Sequence, residues 1–406
     1  MPKTSTPTSL PNLIWSKNIE IAITLKNGSL TWSPKANEFL YAVCLPEINQ
    51  PAVSGIITFK SLITGNTSIV AQDFFCPGPG ISVTWTPDGE RFLFTGLSPE
   101  EANTDTISET ADIWLADMDG NNKILLTQEQ ISTRWSPHFS FWLDDDTFLY
   151  SGYGGGGHTS SALVNIETNG RSQLAIIHVC GLSGFSSQYL VGCGGIFTTS
   201  YISAMAIPLA EMWTVNFDLN GTTIPAEEYF LNNPTPIYLS RSSKSVTDSF
   251  EAFDFNSTFM DWLPETNQML VLTWDEGLDL TTDAPVTTQL QLWDVPTNSL
   301  TLLVPDGVYG KFSPDGRFLA YFTPDGDTFS LNLLDRDTGE RLFSRPALLN
   351  ESEGAYYAPL SFSPDGRYFT FYDTNTDLLI YNLEGRTFLA PLTAVPAPPV
   401  WSPDST

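Results

Sequence analysis

The sequence predicts an all-β fold built from one repeated four-stranded unit, and three observations predict it. First, an aromatic-Ser/Thr-Pro-Asp-Gly block recurs as Phe312-Ser313-Pro314-Asp315-Gly316, Phe362-Ser363-Pro364-Asp365-Gly366 and Trp85-Thr86-Pro87-Asp88-Gly89. Second, each copy is followed by an aromatic-aliphatic run and then by two more short apolar runs around another tight turn. Third, helix-period patterning is absent from almost the whole chain, whereas short-period apolar alternation is sustained.

The block reads strand, turn, strand. Proline presets φ near −65° at the second turn position, aspartate accepts local backbone hydrogen bonds, and glycine takes the positive φ that closes the turn. Taking the aromatic that ends the first strand as a marker, the copies fall at Trp32, Trp85, Trp135, Leu182, Trp262, Phe312 and Phe362, with a partial copy at Trp401. Leu182-Ser183-Gly184-Phe185 is degenerate and lacks the proline, and Trp262-Leu263-Pro264-Glu265 keeps it. The second strand pairs turn at Asp117-Met118-Asp119-Gly120, Thr168-Asn169-Gly170, Asp218-Leu219-Asn220-Gly221, Pro296-Thr297-Asn298, Asp337-Thr338-Gly339 and Leu383-Glu384-Gly385. On this reading Met212–Val215 is the third strand of the fourth unit. Four strands in some 40 to 50 residues, repeated around a closed core, make a β-propeller blade.

The expected architecture is a β-propeller of seven four-stranded blades, with eight as the alternative. Trp401-Ser402-Pro403 stands as an eighth inner strand with no blade behind it. Leu13-Ile14-Trp15 and Ile19-Glu20-Ile21-Ala22-Ile23 look like outer strands with no beginning, so the two ends suit a composite closing blade. A chain cut short at Thr406 is the competing explanation. Residues 1–11 form a polar Ser/Thr/Pro tail, and residues 12–406 a single propeller domain.

Composition narrows the function. Lys+Arg number 18 against 46 Asp+Glu in 406 residues, a net charge of −28. Such a field repels phosphate backbones and anionic lipid, which argues against nucleic-acid and membrane-surface binding and favours basic or metal-bearing partners over acidic ones. Apolar residues at 41% are ample for a core, and 29 Gly with 29 Pro supply punctuation for many turns. No apolar run approaches the length that spans a bilayer. The first residues lack the apolar core of a signal peptide. The chain is therefore cytoplasmic, or periplasmic or extracellular after removal of a leader. Cys44 with Cys76, and Cys180 with Cys193, are placed for two local disulfides or for four buried thiols, and no Cys-x-x-Cys pair marks a zinc site.

The block resembles the WD-repeat-like units of TolB-type propellers, which also build the propeller of prolyl-oligopeptidase-type peptidases. The likeness covers roughly residues 12–405 and is sharpest at Trp85, Phe312 and Phe362. It implies the architecture, which unrelated functions share. The nucleophile elbow Gly-x-Ser-x-Gly of the accompanying hydrolase does not occur in the 406 residues.

Function is expected opposite the tight turns. With strands a to d counted outward, the a–b and c–d turns share one trimmed face, and the b–c and d–a connections share the other. The b–c loops are expected at about 44–54, 96–111, 152–160, 192–211 and 274–288, with a long d–a connection at 222–259. The second carries Glu100, Glu101 and Asp105, the fifth Asp275, Glu276 and Asp279, and the fourth the apolar Phe197, Tyr201 and Met205. An acidic rim beside an apolar patch suits a protein or peptide with a basic edge and a hydrophobic anchor. The same fourth loop also suits burial over the ring. No catalytic residue is assigned, since no motif sets His138, His158 or His178 beside a nucleophile. No cofactor is assigned. Calcium is held open at Asp144-Asp145-Asp146, at Asp117-Met118-Asp119-Gly120-Asn121, or in the central channel of a lactonase-type or lyase-type enzyme. The expected activity is thus non-catalytic binding, with a channel-centred metal-dependent enzyme and a structural subunit of a larger assembly as alternatives.

Overall fold

A computed structural model describes residues 29–35, 37–45, 54–76, 81–96, 111–120, 122–129, 138–154, 158–168, 170–174, 182–195, 202–208, 214–217, 237–238, 255–275, 288–326, 328–352, 355–357, 360–393 and 400–405. Among them are seven antiparallel sheets of four or more strands, each beginning a meander at its inner strand. The chain is a β-propeller.

Blade 1 comprises Leu30–Trp32, Glu38–Leu45, Ser54–Ser61 and Thr67–Phe75. Blade 2 comprises Val83–Trp85, Arg91–Gly96, Ala111–Asp117 and Lys123–Glu129. Blade 3 begins with His138–Trp142, Thr147–Gly154, His158–Asn165 and Gly170–Leu174. Blade 4 has Leu182–Phe185, Tyr189–Gly195, Ile202–Pro208 and a two-residue outer strand, Ile237–Tyr238. Blade 5 is Phe255–Leu263, Gln268–Asp275, Thr288–Asp294 and Ser299–Pro305. Blade 6 is Tyr309–Phe312, Phe318–Asp325, Thr328–Asp335 and Glu340–Pro346. Blade 7 is Ser361–Phe362, Tyr368–Tyr372, Leu378–Asn382 and Thr387–Phe388.

The core lies between blades. Successive residues of a strand point to opposite faces, so each central strand feeds two layers. Phe92 and Phe94 pack against Leu40, Ile57 and Phe74 of blade 1. Leu93, between them, packs with Phe148 and Val164 of blade 3. The same arrangement joins blade 3 to 4, 4 to 5, 5 to 6 and 6 to 7. Strands buried on both faces explain why runs such as Phe92-Leu93-Phe94 carry apolar residues in excess of simple alternation.

The structure corrects several sequence expectations. The inner strand of blade 3 ends at Trp142 and turns through Asp144–Asp146, so Trp142 rather than Trp135 is its aromatic marker. In blade 4 the marker is Phe185, three residues after Leu182, and the turn follows at Ser186. Strand pairing outweighed the missing proline in both. Met212–Val215 does not open the third strand of blade 4. That strand is Ile202–Pro208, and Thr214–Phe217 pairs with Gly170–Leu174 as a fifth strand on the rim of blade 3. The expected third b–c loop is mostly strand, with Thr147–Gly154 paired to His158–Asn165 along its whole length. The fourth shrinks likewise, because Ile202–Pro208 pairs with Tyr189–Gly195.

Cys44 and Cys76 form a disulfide across the end of blade 1, with Cα atoms 6.0 Å apart. Cys180, Leu13–Trp15 and Ile19–Ile23 lie outside the described residues.

Candidate functional site

The two faces of the ring differ in how their polar groups are used. On the turn face the Ser-Pro-Asp-Gly block is self-satisfied. The Ser313 hydroxyl donates to Asp315 Oδ1 at 2.5 Å and accepts the Phe318 amide at 2.8 Å. Asp315 Oδ1 also accepts the Arg317 amide at 3.1 Å, and the Gly316 amide donates to the Ser313 carbonyl at 2.8 Å. Ser363, Asp365 and Tyr368 repeat this geometry, as do Thr86, Asp88 and Arg91. Glycine is required there: Gly89, Gly316 and Gly366 have φ of 66°, 71° and 68°.

An ion network ties blades 6 and 7 on this face. Asp335 is fully buried, and Arg317 donates to its carboxylate at 2.8 Å while Arg386 approaches at 3.9 Å. The Arg317 hydrogen bond, aided by the Thr338 and Asp337 amides, holds the Asp335 pKa below the usual carboxylate value. Arg386 also pairs with Glu340 at 2.7 Å.

The looped half of the ring instead carries polar side chains on its strands. In blade 5, Gln291 Nε2 donates to Thr273 Oγ1 at 2.8 Å and to Gln289 Oε1 at 3.1 Å. In blade 6, Asn332 Nδ2 donates to Thr323 Oγ1 at 3.1 Å, and Ser330 Oγ donates to Asp325 Oδ2 at 2.8 Å. Thr273, Gln291 and Asn332 are buried. Thr273 and Thr323 occupy the same blade position, as do Gln291 and Asn332. Buried polar pairs of this kind persist only when satisfied, and they fix strand register more strictly than apolar contacts do.

Between blades 5 and 6, the inner strands meet through Asp261. Its Oδ2 accepts the Phe312 amide at 2.6 Å. Burial raises the Asp261 pKa, opposed by the Phe312 amide, the nearby Lys311 charge and the Trp262 amide. The carboxylate stands beside a strand bulge between Phe259 and Asp261.

Of the site residues expected from sequence, Glu100, Glu101, Asp105, Phe197, Tyr201, Glu276 and Asp279 lie outside the described residues. Asp275 ends the second strand of blade 5 on the looped face, paired with Phe255. Met205 is a correction. It sits in the third strand of blade 4, fully buried with Leu149, Leu163, Leu190 and Ile207, because strand alternation turns Met205 and Ile207 toward blade 3 and Ala204 and Ala206 toward blade 5. It is a core residue. The Thr273–Gln291 and Thr323–Asn332 pairs were missed by sequence reasoning. Their signal is present as a threonine that recurs fifty residues on and a carboxamide that recurs 41 residues on, each at the same blade position.

Among the described residues, no group of three or more His, Cys, Asp or Glu is placed to hold a metal ion. Asp144 Oδ1 accepts the Asp146 and Thr147 amides at 2.9 and 2.6 Å, so it caps a turn. Asp117 Oδ2 accepts from Asn122 at 2.6 Å. The buried indole N–H groups of Trp114, Trp142 and Trp401 have no acceptor among the described residues. Among the described residues no helix is long and apolar enough to cross a membrane.

No protein-family model matches the chain, and no curated protein matches its sequence. Solved structures resemble it in fold. TolB from Acinetobacter baumannii is 14% identical over 96% of this chain and 87% of its own, with a TM-score of 0.36. The C-terminal WD40 domain of Sif2 is 12% identical over 93% and 90%, with a TM-score of 0.47. Oligogalacturonate lyase in complex with manganese is 11% identical over 89% and 88%, with a TM-score of 0.39. This likeness is one of architecture, shared by binding proteins and enzymes alike.

Proposed function

We propose that the chain is a non-catalytic binding or scaffold propeller that recognises a protein or peptide through its looped face. The observation that carries this reading is the contrast between faces. The turn face spends its polar groups on itself, through Ser313, Asp315, Ser363 and Asp365. The opposite face receives the chain's longer b–c and d–a connections. Connections held on a rigid scaffold are where recognition concentrates. With a net charge of −28, the partner is basic.

The test is isothermal titration with a lysine-rich peptide ending in phenylalanine, at low and moderate salt. Changing Glu100, Glu101 and Asp105 together to lysine should weaken binding about tenfold or more at low salt. The turn-face pair Asp337→Lys and Glu384→Lys should leave it unchanged. Equal losses from both sets would reject the looped face as the site.

We further propose that the protein works in an oxidising compartment outside the cytoplasm, on the strength of the Cys44–Cys76 disulfide. Protein taken from its native cells under acid quench should resist maleimide labelling at these two cysteines until reductant is added. Labelling before reduction would place the chain in a reducing compartment.

A further inference from the structure

The outermost strand of a sheet presents a row of unpaired backbone amides and carbonyls, and proteins guard such edges with charge, with covering chain or by keeping them short. The described blades show each device. A fifth strand, Thr214–Phe217, covers the rim of blade 3. Blades 4 and 7 have outer strands of 2 residues. Blade 6 carries Glu340, Arg341 and Arg345 on its outer strand, with Glu340 paired to Arg386 at 2.7 Å. Blade 2 carries Lys123 there, and its Nζ donates to the Gln72 carbonyl on the rim of blade 1 at 3.0 Å.

Blade 5 is built otherwise. Its outer strand, Ser299-Leu300-Thr301-Leu302-Leu303-Val304-Pro305, has 7 residues and no charge. Among the described residues it is the last strand of its sheet. Pro305 ends the strand and withdraws only its own amide. Ser299–Leu302 pairs without a break with Gln291–Asp294, and the register shifts only after Leu302. That regular stretch is as long as the ladder that Thr214–Phe217 makes on the rim of blade 3, where the chain fills such an edge itself. Leu300 packs in the layer shared with blade 4, whose own outer strand is short. Leu302, two residues on and on the same face, is therefore left 52% exposed.

Charge indicates what would lie there. From Phe255 to Pro305 the chain has no lysine or arginine. Asp294, opposite Ser299, stands at one end of the edge and Asp306 follows the other. A second copy paired antiparallel would bring the Asp306 end of each chain toward the Asp294 end of the other, and like charges facing across strands are unfavourable. We propose that Ser299–Leu302 on the rim of blade 5 is a further recognition site, which takes an extended segment of a partner protein as a fifth strand. Main-chain hydrogen bonds hold such a segment, and its side chains select it. Here they call for an apolar residue at every second position, beside Leu300 and Leu302, and for lysine or arginine at both ends. The site is separate from the looped face and does not depend on it.

The probe is the synthetic peptide KKVTVTVKK, titrated by fluorescence anisotropy into the full chain at about 0.15 M salt, where long-range attraction is screened. Hydrogen–deuterium exchange in residues 299–302 should slow about tenfold or more on saturation with the peptide. The peptide KKVTPTVKK has the same charge but cannot complete the ladder, and should bind about tenfold or more weakly. Leu302→Lys, at an exposed position, should weaken KKVTVTVKK about tenfold by setting like charge beside it. The looped-face variant with lysine in place of Glu100, Glu101 and Asp105 should bind it as the unaltered chain does. Equal affinity for the two peptides would overturn the proposal by reducing the attraction to charge alone, whether or not the Leu302 variant folds. So would unchanged exchange in residues 299–302, or binding lost in the looped-face variant and kept in Leu302→Lys. Dimers seen by light scattering without peptide, abolished by Leu302→Lys, would assign the edge to a second copy and overturn it too.

Discussion

Blade 6 and blade 4 solve the same folding problem with unequal means. Blade 6 has the full Ser-Pro-Asp-Gly block, strands of 8 residues at its second and third positions, and the buried Asp335 held by Arg317. Blade 4 turns through Ser186-Ser187-Gln188, its outer strand has 2 residues, and its chain leaves for the rim of blade 3 before returning. What survives in both is the hydroxyl after the aromatic marker. Ser186 Oγ accepts the Tyr189 and Gln188 amides, each at 3.2 Å, as Ser313 Oγ accepts the Phe318 amide at 2.8 Å. Ser186 also donates to Asn267 Oδ1 of blade 5 at 2.7 Å, so the weaker turn leans on its neighbour. The serine holds the turn together, and Pro, Asp and Gly make it rigid.

The largest effect expected from this comparison is at the glycine that only the full block has. A side chain at Gly316 meets both a φ of 71° and Leu263 Cδ1 at 2.9 Å from an added Cβ, whereas Gly366 has a φ of 68° and open space. Gly366→Val should cost about 1–3 kcal/mol from the backbone alone. Gly316→Val should cost about 1–3 kcal/mol more, from overpacking against blade 5. Urea denaturation of both variants reads the difference, and equal midpoints would mean that the contact with Leu263 relaxes freely.

Next come the serines. Ser313→Ala strands the buried Phe318 amide and should cost about 1–3 kcal/mol. Ser186→Ala removes longer hydrogen bonds at a less enclosed turn, and about 0.5–1.5 kcal/mol is expected. A larger loss at Ser186 would show that the link to Asn267, rather than the turn, is what blade 4 depends on.

The smallest expected effect lies at Asp261. Its folded pKa is raised, so the folded chain binds the proton more tightly than the unfolded chain. The stabilisation from that proton is complete below the ordinary carboxylate value of 3.8 and is lost as pH rises through the raised value. Asp261→Asn keeps an acceptor for the Phe312 amide and should flatten that part of the stability profile. Asp261→Ala removes the titrating group as well and leaves the amide unmet, so its profile should be equally flat and lie about 1 kcal/mol below that of the Asn variant. Denaturation midpoints measured from pH 4 to pH 7 distinguish the two, and an unchanged slope in the Asn variant would rule Asp261 out as the titrating group.

The sequence made the repeat legible because turn chemistry is local: Pro314, Asp315 and Gly316 dictate their own dihedrals. It misplaced Trp135 and Leu182 as markers because blades 3 and 4 replace that local signal with strand pairing, which depends on residues far along the chain. Met205 was read as loop for the same reason. A buried strand and an apolar loop look alike until the register with Tyr189–Gly195 is known. The Thr273–Gln291 pair escaped notice because hydroxyl and carboxamide residues carry no signature unless blades are aligned on one another. The acidic stretches at Glu100–Asp105 and Glu276–Asp279 were legible as charge, and they lie outside the described residues.

The fifth strand of blade 3 bears on the order of assembly. Thr214–Phe217 lies in the chain between the third and fourth strands of blade 4, yet its hydrogen-bonding partner is Gly170–Leu174. Blade 4 receives its outer strand only after the chain has visited a neighbour made earlier in synthesis. In chain order, therefore, the rim of blade 3 is closed before blade 4 has its outer strand, and one continuous segment of backbone links the two sheets.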